Sequence, residues 1–271
     1  IDLLNRFRVM GGVRLENAEQ NVSTFSPFTG DDPVSAKLKN FDLLPSTSTT
    51  WVLTESMQLR AGYGRTVSRP EFRELSPARF DDVTNRQSVV GNPDLKRALI
   101  DHYDLRWELY FNARDSISIA GFFKYFTDPI ETKISCGADK TLTFRNSPSA
   151  QNLGAELAWR KGFEFLGLDR TFFSGNVSII DSNVELGQSD GCETSSSRPL
   201  EGQSAYVINL QLGYEAPRNL WQWSLLYNVS GRRIVEVGTS SLPDVYEQPR
   251  NLVDFVLGMR LGAGFALKLK A

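Results

Sequence analysis

With 271 residues, 30 basic against 32 acidic side chains and a formal net charge of -2, the chain lacks the basic excess of a nucleic-acid binder. A mean hydropathy of -0.28 and the want of any apolar run near the roughly 18–20 residues of a membrane helix exclude a helical membrane protein. The same averages leave a β-barrel open, because about half of each barrel strand is polar.

Apolar and polar residues already alternate in the first segment, Arg6–Glu16, and the residues before it carry no signal-peptide pattern, so the sequence reads as part of a longer chain. A long connection, Asn17–Asn40, leads into Phe41–Thr54, and Glu55-Ser56 turns that segment back into Met57–Val67. The longest connection, Ser68–Ala98, precedes Leu99–Asn112, which three residues join to Ser116–Thr127. Asp128–Lys140 then leads to Thr141–Lys161, and Gly162–Asp169 to Thr171–Glu185. Leu186–Gly202 precedes Gln203–Glu215, and Ala216–Asn219 turns it into Leu220–Ile234. Val235–Arg250 leads to Asn251–Leu261, and Gly262-Ala263-Gly264 to the last segment, Phe265–Ala271. These are about eleven predicted strands, most longer than the mean of about 5–6 residues in soluble domains and close to the 9–11 that a tilted membrane strand needs. Short and long connections take turns strictly, which in an up-and-down meander puts every short turn at one end and every long loop at the other. Outer-membrane barrels sort their loops in this way.

Alternation by itself does not say which solvent meets which face. In Gln203–Glu215 the apolar set is Tyr206, Ile208, Leu210, Leu212 and Tyr214, opposed by Asn209, Gln211 and Glu215. In Leu99–Asn112 it is Tyr103, Leu105, Trp107, Leu109 and Phe111, opposed by Asp104, Arg106, Glu108 and Asn112. A lipocalin-like barrel would turn the apolar set inward. Two features favour lipid instead. Trp51, Phe111, Trp159, Tyr214 and Trp221 each lie within about six residues of a short turn, as in an interfacial aromatic girdle. About eleven long strands would also enclose a lumen too wide for side chains alone to fill. The expectation is an all-β, antiparallel, up-and-down transmembrane barrel, with further strands needed to close it because open edges are not tolerated in lipid.

Few residues stand out as chemical. Cys136 and Cys192 fall in two long loops at the same end, where an oxidising compartment would favour a disulfide, the alternative being free thiols. Arg69, Arg73, Arg79 and Arg86 in the Ser68–Ala98 loop are candidates to grip an anionic ligand, against the ordinary reading of solvated or structural arginines. His102 is the single histidine and reads as a rim residue. With no nucleophile elbow, phosphate loop or paired carboxylates, the chain reads as a non-enzyme without a catalytic, metal or cofactor site.

Several stretches are similar to a known family. "LRAGYGRTVSRPEFRELSP" (Leu59–Pro77), "GNPDLKRALIDHYDLRWELYF" (Gly91–Phe111), "NLGAELAWRK" (Asn152–Lys161), "LEGQSAYVINLQLGYE" (Leu200–Glu215), "LPDVYEQPRNLVDFVLGMRLG" (Leu242–Gly262) and the closing "ALKLKA" resemble, in order and spacing, the C-terminal barrel half of TonB-dependent outer-membrane receptors. The resemblance implies a bacterial outer-membrane location with long loops extracellular, and a 22-strand barrel filled by an N-terminal plug. Residues 1–271 would then be roughly strands eleven to twenty-one, without the plug, the TonB box or the final strand. It further implies import of a scarce nutrient (a ferric siderophore, cobalamin or an oligosaccharide) powered by TonB–ExbB–ExbD acting through the N-terminal part. Membrane lipid and, as a further candidate, a surface lipoprotein would be partners. In "NPDLKRA", Ala98 stands where relatives carry Glu. Family ligands are held at no fixed positions, so no binding residue carries over. A passive channel, or a soluble β-sandwich binding module, stays open as an alternative.

Overall fold

Eleven long strands form one antiparallel sheet in which each pairs with its neighbours in sequence, an order that needs no crossover. The computed structural model describes residues 2–3, 6–24, 34–82, 87–135, 141–187, 194–238, 242–262 and 265–271. The long strands are Phe7–Thr24, Val34–Thr54, Met57–Ser68, Ala98–Tyr110, Ser116–Thr127, Ser149–Phe163, Leu168–Glu185, Tyr206–Glu215, Trp221–Ser230, Arg250–Gly262 and Phe265–Lys270. Two short pieces, Asp2–Leu3 and Ser197–Arg198, add to the first strand and to Leu168–Glu185.

Three expected boundaries move. The first two strands run well past Glu16 and begin before Phe41, pairing from Phe7↔Trp51 up to Thr24↔Val34, so much of the predicted connection is ladder. The predicted Thr141–Lys161 strand breaks at Ser147-Pro148, because proline cannot donate to the ladder. Thr141–Asn146 pairs away from the main sheet, and Ser149–Phe163 enters it. The predicted Leu220–Ile234 strand likewise ends at Ser230, and Arg233–Glu236 pairs with Val245–Glu247 in a separate two-stranded ribbon.

Polarity across the sheet is inverted relative to a soluble protein. Tyr103, Leu105, Ile119, Leu153, Ile179 and Val253 lie on one face and are exposed, with Ile179 at 65% and Leu105 at 53%. The opposite face buries polar groups: Asp42, Glu108, Ser118, Asn152 and Ser178 are each under 10% exposed. Glu108 there accepts hydrogen bonds from Gln58 and from the Tyr110 hydroxyl (2.9 Å), with Arg106 at 2.9 Å and Arg60 at 3.4 Å. A carboxylate buried among four donors is satisfied, whereas exposed leucines and isoleucines require an apolar solvent. No second layer covers the apolar face among the described residues, so a sandwich does not fit.

Aromatic rings border the apolar band at both ends. Near the short turns Tyr214 stacks on Trp221 (4.7 Å between centroids) and Trp159 tilts against Phe173 (5.9 Å). Toward the long loops Tyr63 meets Tyr103 (5.1 Å), and Tyr103 meets Phe123 (6.2 Å). An ion pair stands on the apolar side beside these rings. Arg65 donates twice to Asp101 (2.8 and 2.9 Å) beside the Tyr63 hydroxyl (2.7 Å), at the level of this upper aromatic row. Paired, bidentate and at the interface rather than mid-span, it avoids the cost of an isolated charge.

Candidate functional site

The long connections fold inward over the polar face. The Ser68–Ala98 segment forms a single helical turn, Phe72–Leu75, and a short hairpin of Arg79–Asp82 with Gln87–Val90. Leu75 and Leu95 pack with Ala36 into a small dry core flanked by Val22, Ile130 and Phe144, on the lumen side of the first hairpin. The "GNPDL" stretch pins this segment. The Gly91 amide donates to the Ser76 carbonyl (2.9 Å), and a Cβ at Gly91 would lie 2.4–2.6 Å from three backbone carbonyl oxygens, so only glycine fits. The Asn92 side chain donates to the Phe144 carbonyl (2.9 Å), tying the segment to the next long connection. That connection contributes Ile130–Ser135 and Thr141–Asn146, and Thr141–Asn146 pairs in parallel with Gln87–Val90 through Thr141↔Ser88 and Leu142↔Val89. A third connection, around Leu200, packs on the buried cluster of Ala150, Val184 and Leu186, as does Phe126.

Between these inward loops lie two adjoining cavities of about 400 and 310 Å³, both within the range of small-molecule sites. Glu74, Ile130 and Glu131 line both and form their common wall. Glu131 is nearly fully buried and pairs with the equally buried Arg198 (2.9 Å). Burial outweighs that arginine and pushes the Glu131 carboxyl up to about 7. Burial also raises Glu74, opposed by the hydrogen bond it accepts from the Glu71 amide (2.8 Å). Glu201 accepts from the Thr132 hydroxyl and completes an acidic wall.

The arginines singled out in the sequence part company in the fold. Arg69 is an anchor: it donates to Glu16 (2.8 Å) and to the fully buried Asp42 (2.7 Å), which also receives Arg97. Arg73 lies 5.4 Å over the Phe80 ring, and Arg79 opens the loop hairpin opposite Val90. Arg86, Cys136 and Cys192 lie outside the described residues. His102 faces the lumen and shares a hydrogen bond with Thr66 (2.8 Å). Sequence reasoning missed Glu131, Arg198 and Glu74, whose proximity depends on loops that carry no periodic pattern. Among the described residues no group of three or more His, Cys, Asp or Glu side chains is placed to hold a metal ion. No helix among them is long and apolar enough to cross a membrane.

A sheet with its apolar face outward and its loops tucked over a polar lumen has a counterpart among known families. The family model described as TonB dependent receptor-like, beta-barrel matches residues 1–270. The chain belongs to this TonB-dependent receptor barrel family. Its members are transporters rather than enzymes, and its architecture is the all-β transmembrane barrel expected from the sequence. Among solved structures, the chain is similar to the ferric-catecholate import receptor Fiu of E. coli K12, with TM-score 0.65 and 14% identity over 98% of this chain and 38% of that one. It is also similar to the copper transporter OprC, with TM-score 0.65 and 18% identity over 99% of this chain and 39% of that one. For the siderophore receptor PirA of Acinetobacter baumannii the values are 0.58 and 13%, over 97% and 41%. At these identities the likeness is one of fold. The chain thus spans about 38% of the length of the TonB-dependent receptors it resembles. No curated protein matches by sequence.

Proposed function

We propose that the protein containing this chain is a bacterial outer-membrane receptor that binds a scarce nutrient between its extracellular long loops and imports it with energy from TonB–ExbB–ExbD. The observation that carries this reading is the pair of open cavities walled by Glu74 and Glu131, bordered by loops folded over the lumen face of an apolar-outside sheet. Residues 1–271 would form about half of a 22-strand barrel, with a plug and TonB box contributed from outside them. Membrane lipid meets the exposed apolar band, and a surface lipoprotein remains a candidate partner. Within the loops, Arg73 and Arg79 are the ligand contacts we favour among the arginines, with Arg69 setting the position of their segment through Asp42 and Arg86 as a further candidate. Cys136 and Cys192 are proposed to close a disulfide between two of these loops.

Structural neighbours carry ferric catecholate in one case and copper in another, so metal-bearing cargo is the first class to test. The experiment is uptake of radiolabelled iron–siderophore, cobalamin or oligosaccharide by cells with and without the intact gene, before and after the proton gradient is collapsed. Gene-dependent uptake that stops with the gradient is expected. Uptake insensitive to the gradient, together with steady conductance in a planar bilayer, would instead identify a passive channel. Non-reducing peptide mass analysis is expected to recover Cys136 and Cys192 in one linked species.

A further inference from the structure

The short-turn end of the lumen holds a group of arginines that lies apart from the vestibule. Arg160 and Arg170 reach it from neighbouring strands, Arg114 from the turn before Ser116, and Arg218 from the turn after Glu215. All four line one cavity of about 340 Å³. Arg114 is held by Glu164 (2.8 Å). None of the ion pairs formed among the described residues uses Arg160, Arg170 or Arg218, and Glu215 is the single acid lining the cavity. Four arginines therefore line or border one cavity with two carboxylates, Glu164 and Glu215, beside them.

The group is also held in place. The Arg160 guanidinium lies 3.8 Å from the centre of the Phe172 ring, a cation–π stack that fixes its plane. Phe172 in turn lies across Gly213, where a Cβ would come within 2.5 Å of the ring. Arg218 adopts φ +56°, a left-handed conformation in which arginine is uncommon. Like charges in excess of their counter-charge repel, and a planar guanidinium fork is suited to bidentate carboxylate or phosphate oxygens.

We propose that this cavity is an anion site at the short-turn mouth of the lumen, taking a carboxylate or phosphate group. A lipid headgroup is not its source, because Arg160 and Phe172 stand on the polar face of their strands, opposite the apolar band. The two remaining sources are side-chain carboxylates of a polypeptide segment entering the mouth, and a free phosphate-like anion.

The test uses the full-length receptor in detergent, with heat-modifiable gel migration as the check that each variant is folded. Arg160→Lys, Arg170→Lys and Arg218→Lys are each treated with a water-soluble carbodiimide, which joins a lysine amine to a carboxylate in contact, and the products are mapped by peptide mass spectrometry. In parallel, inorganic phosphate is titrated calorimetrically into the wild type and into Arg160→Gln/Arg170→Gln. Cross-links from at least two of the three positions to one acidic segment outside Glu164 and Glu215 establish the protein carboxylate as occupant. Phosphate binding tighter than about 1 mM, weakened at least tenfold in the double variant, establishes the free anion. Cross-links confined to Glu164 and Glu215 with no phosphate binding, or neither signal at all, overturn the proposal.

Discussion

Glu131 concentrates the electrostatic tension of the loop region in one side chain. Its carboxyl sits near 7 against an ordinary 4.5, chiefly because of burial, so the folded loops hold a proton that the unfolded loops release. The sign follows from linkage: this stabilisation is complete below about 4.5 and is lost as pH rises through 7, with an upper bound of about 3 kcal/mol. Hydrogen-exchange protection of Ile130–Ser135 and Thr141–Asn146, corrected for intrinsic rates, should accordingly fall between pH 5 and pH 8. In Glu131→Gln, which cannot ionise, protection should stay flat over that interval. Equal pH dependence in both proteins would mean that another group is responsible. Asp42 offers a contrasting case, a fully buried carboxylate that receives Arg69 and Arg97. Asp42→Ala should strip both arginines of their partner at a cost of about 3–5 kcal/mol, read as early proteolysis of the 69–97 segment while the barrel stays folded.

The strands show which features of a sequence translate directly into structure. Period-two alternation located all eleven, and the apolar side of Leu99–Asn112 and Gln203–Glu215 was assigned from side-chain type alone, because β-pleating admits two faces and no others. Limits were missed where alternation continues beyond the sheet: at Thr141–Asn146 the pattern persists while Pro148 ends the ladder. Face assignment is open to a direct test. Leu105→Arg, on the apolar face, should destabilise the barrel in liposomes by roughly 2–4 kcal/mol, whereas Asp104→Asn on the lumen face should change stability by under about 0.5 kcal/mol. Similar effects at the two positions would contradict the orientation. Cross-strand packing makes a further prediction. Gly213→Ala forces the Phe172 ring aside and should cost about 1–2 kcal/mol, and in a Phe172→Ala background the same change should be nearly neutral. Denaturant unfolding of the four proteins gives the coupling.

For the whole molecule, the family was legible from short ordered stretches, yet the vestibule was not. Glu74, Glu131 and Arg198 come from three different long connections, far apart along the chain, and no spacing rule brings such positions together. Arg69 read either as a ligand candidate or as a structural arginine, because charge in a loop looks the same in sequence whether it faces a guest or a buried Asp42. The sheet's linear order also leaves Phe7–Thr24 and Phe265–Lys270 at opposite ends with no pairing between them among the described residues. A polypeptide limited to residues 1–271 should therefore associate through those strands, and size-exclusion chromatography in detergent should find no stable monomer.

The parallel joint between Gln87–Val90 and Thr141–Asn146 has a mechanical meaning. Two excursions of the chain that leave the barrel from different hairpins are stitched into a single four-stranded panel, and Asn92 rivets it to the Phe144 backbone. A load on either excursion is therefore shared by both, and the panel is held as one piece rather than as separate fingers.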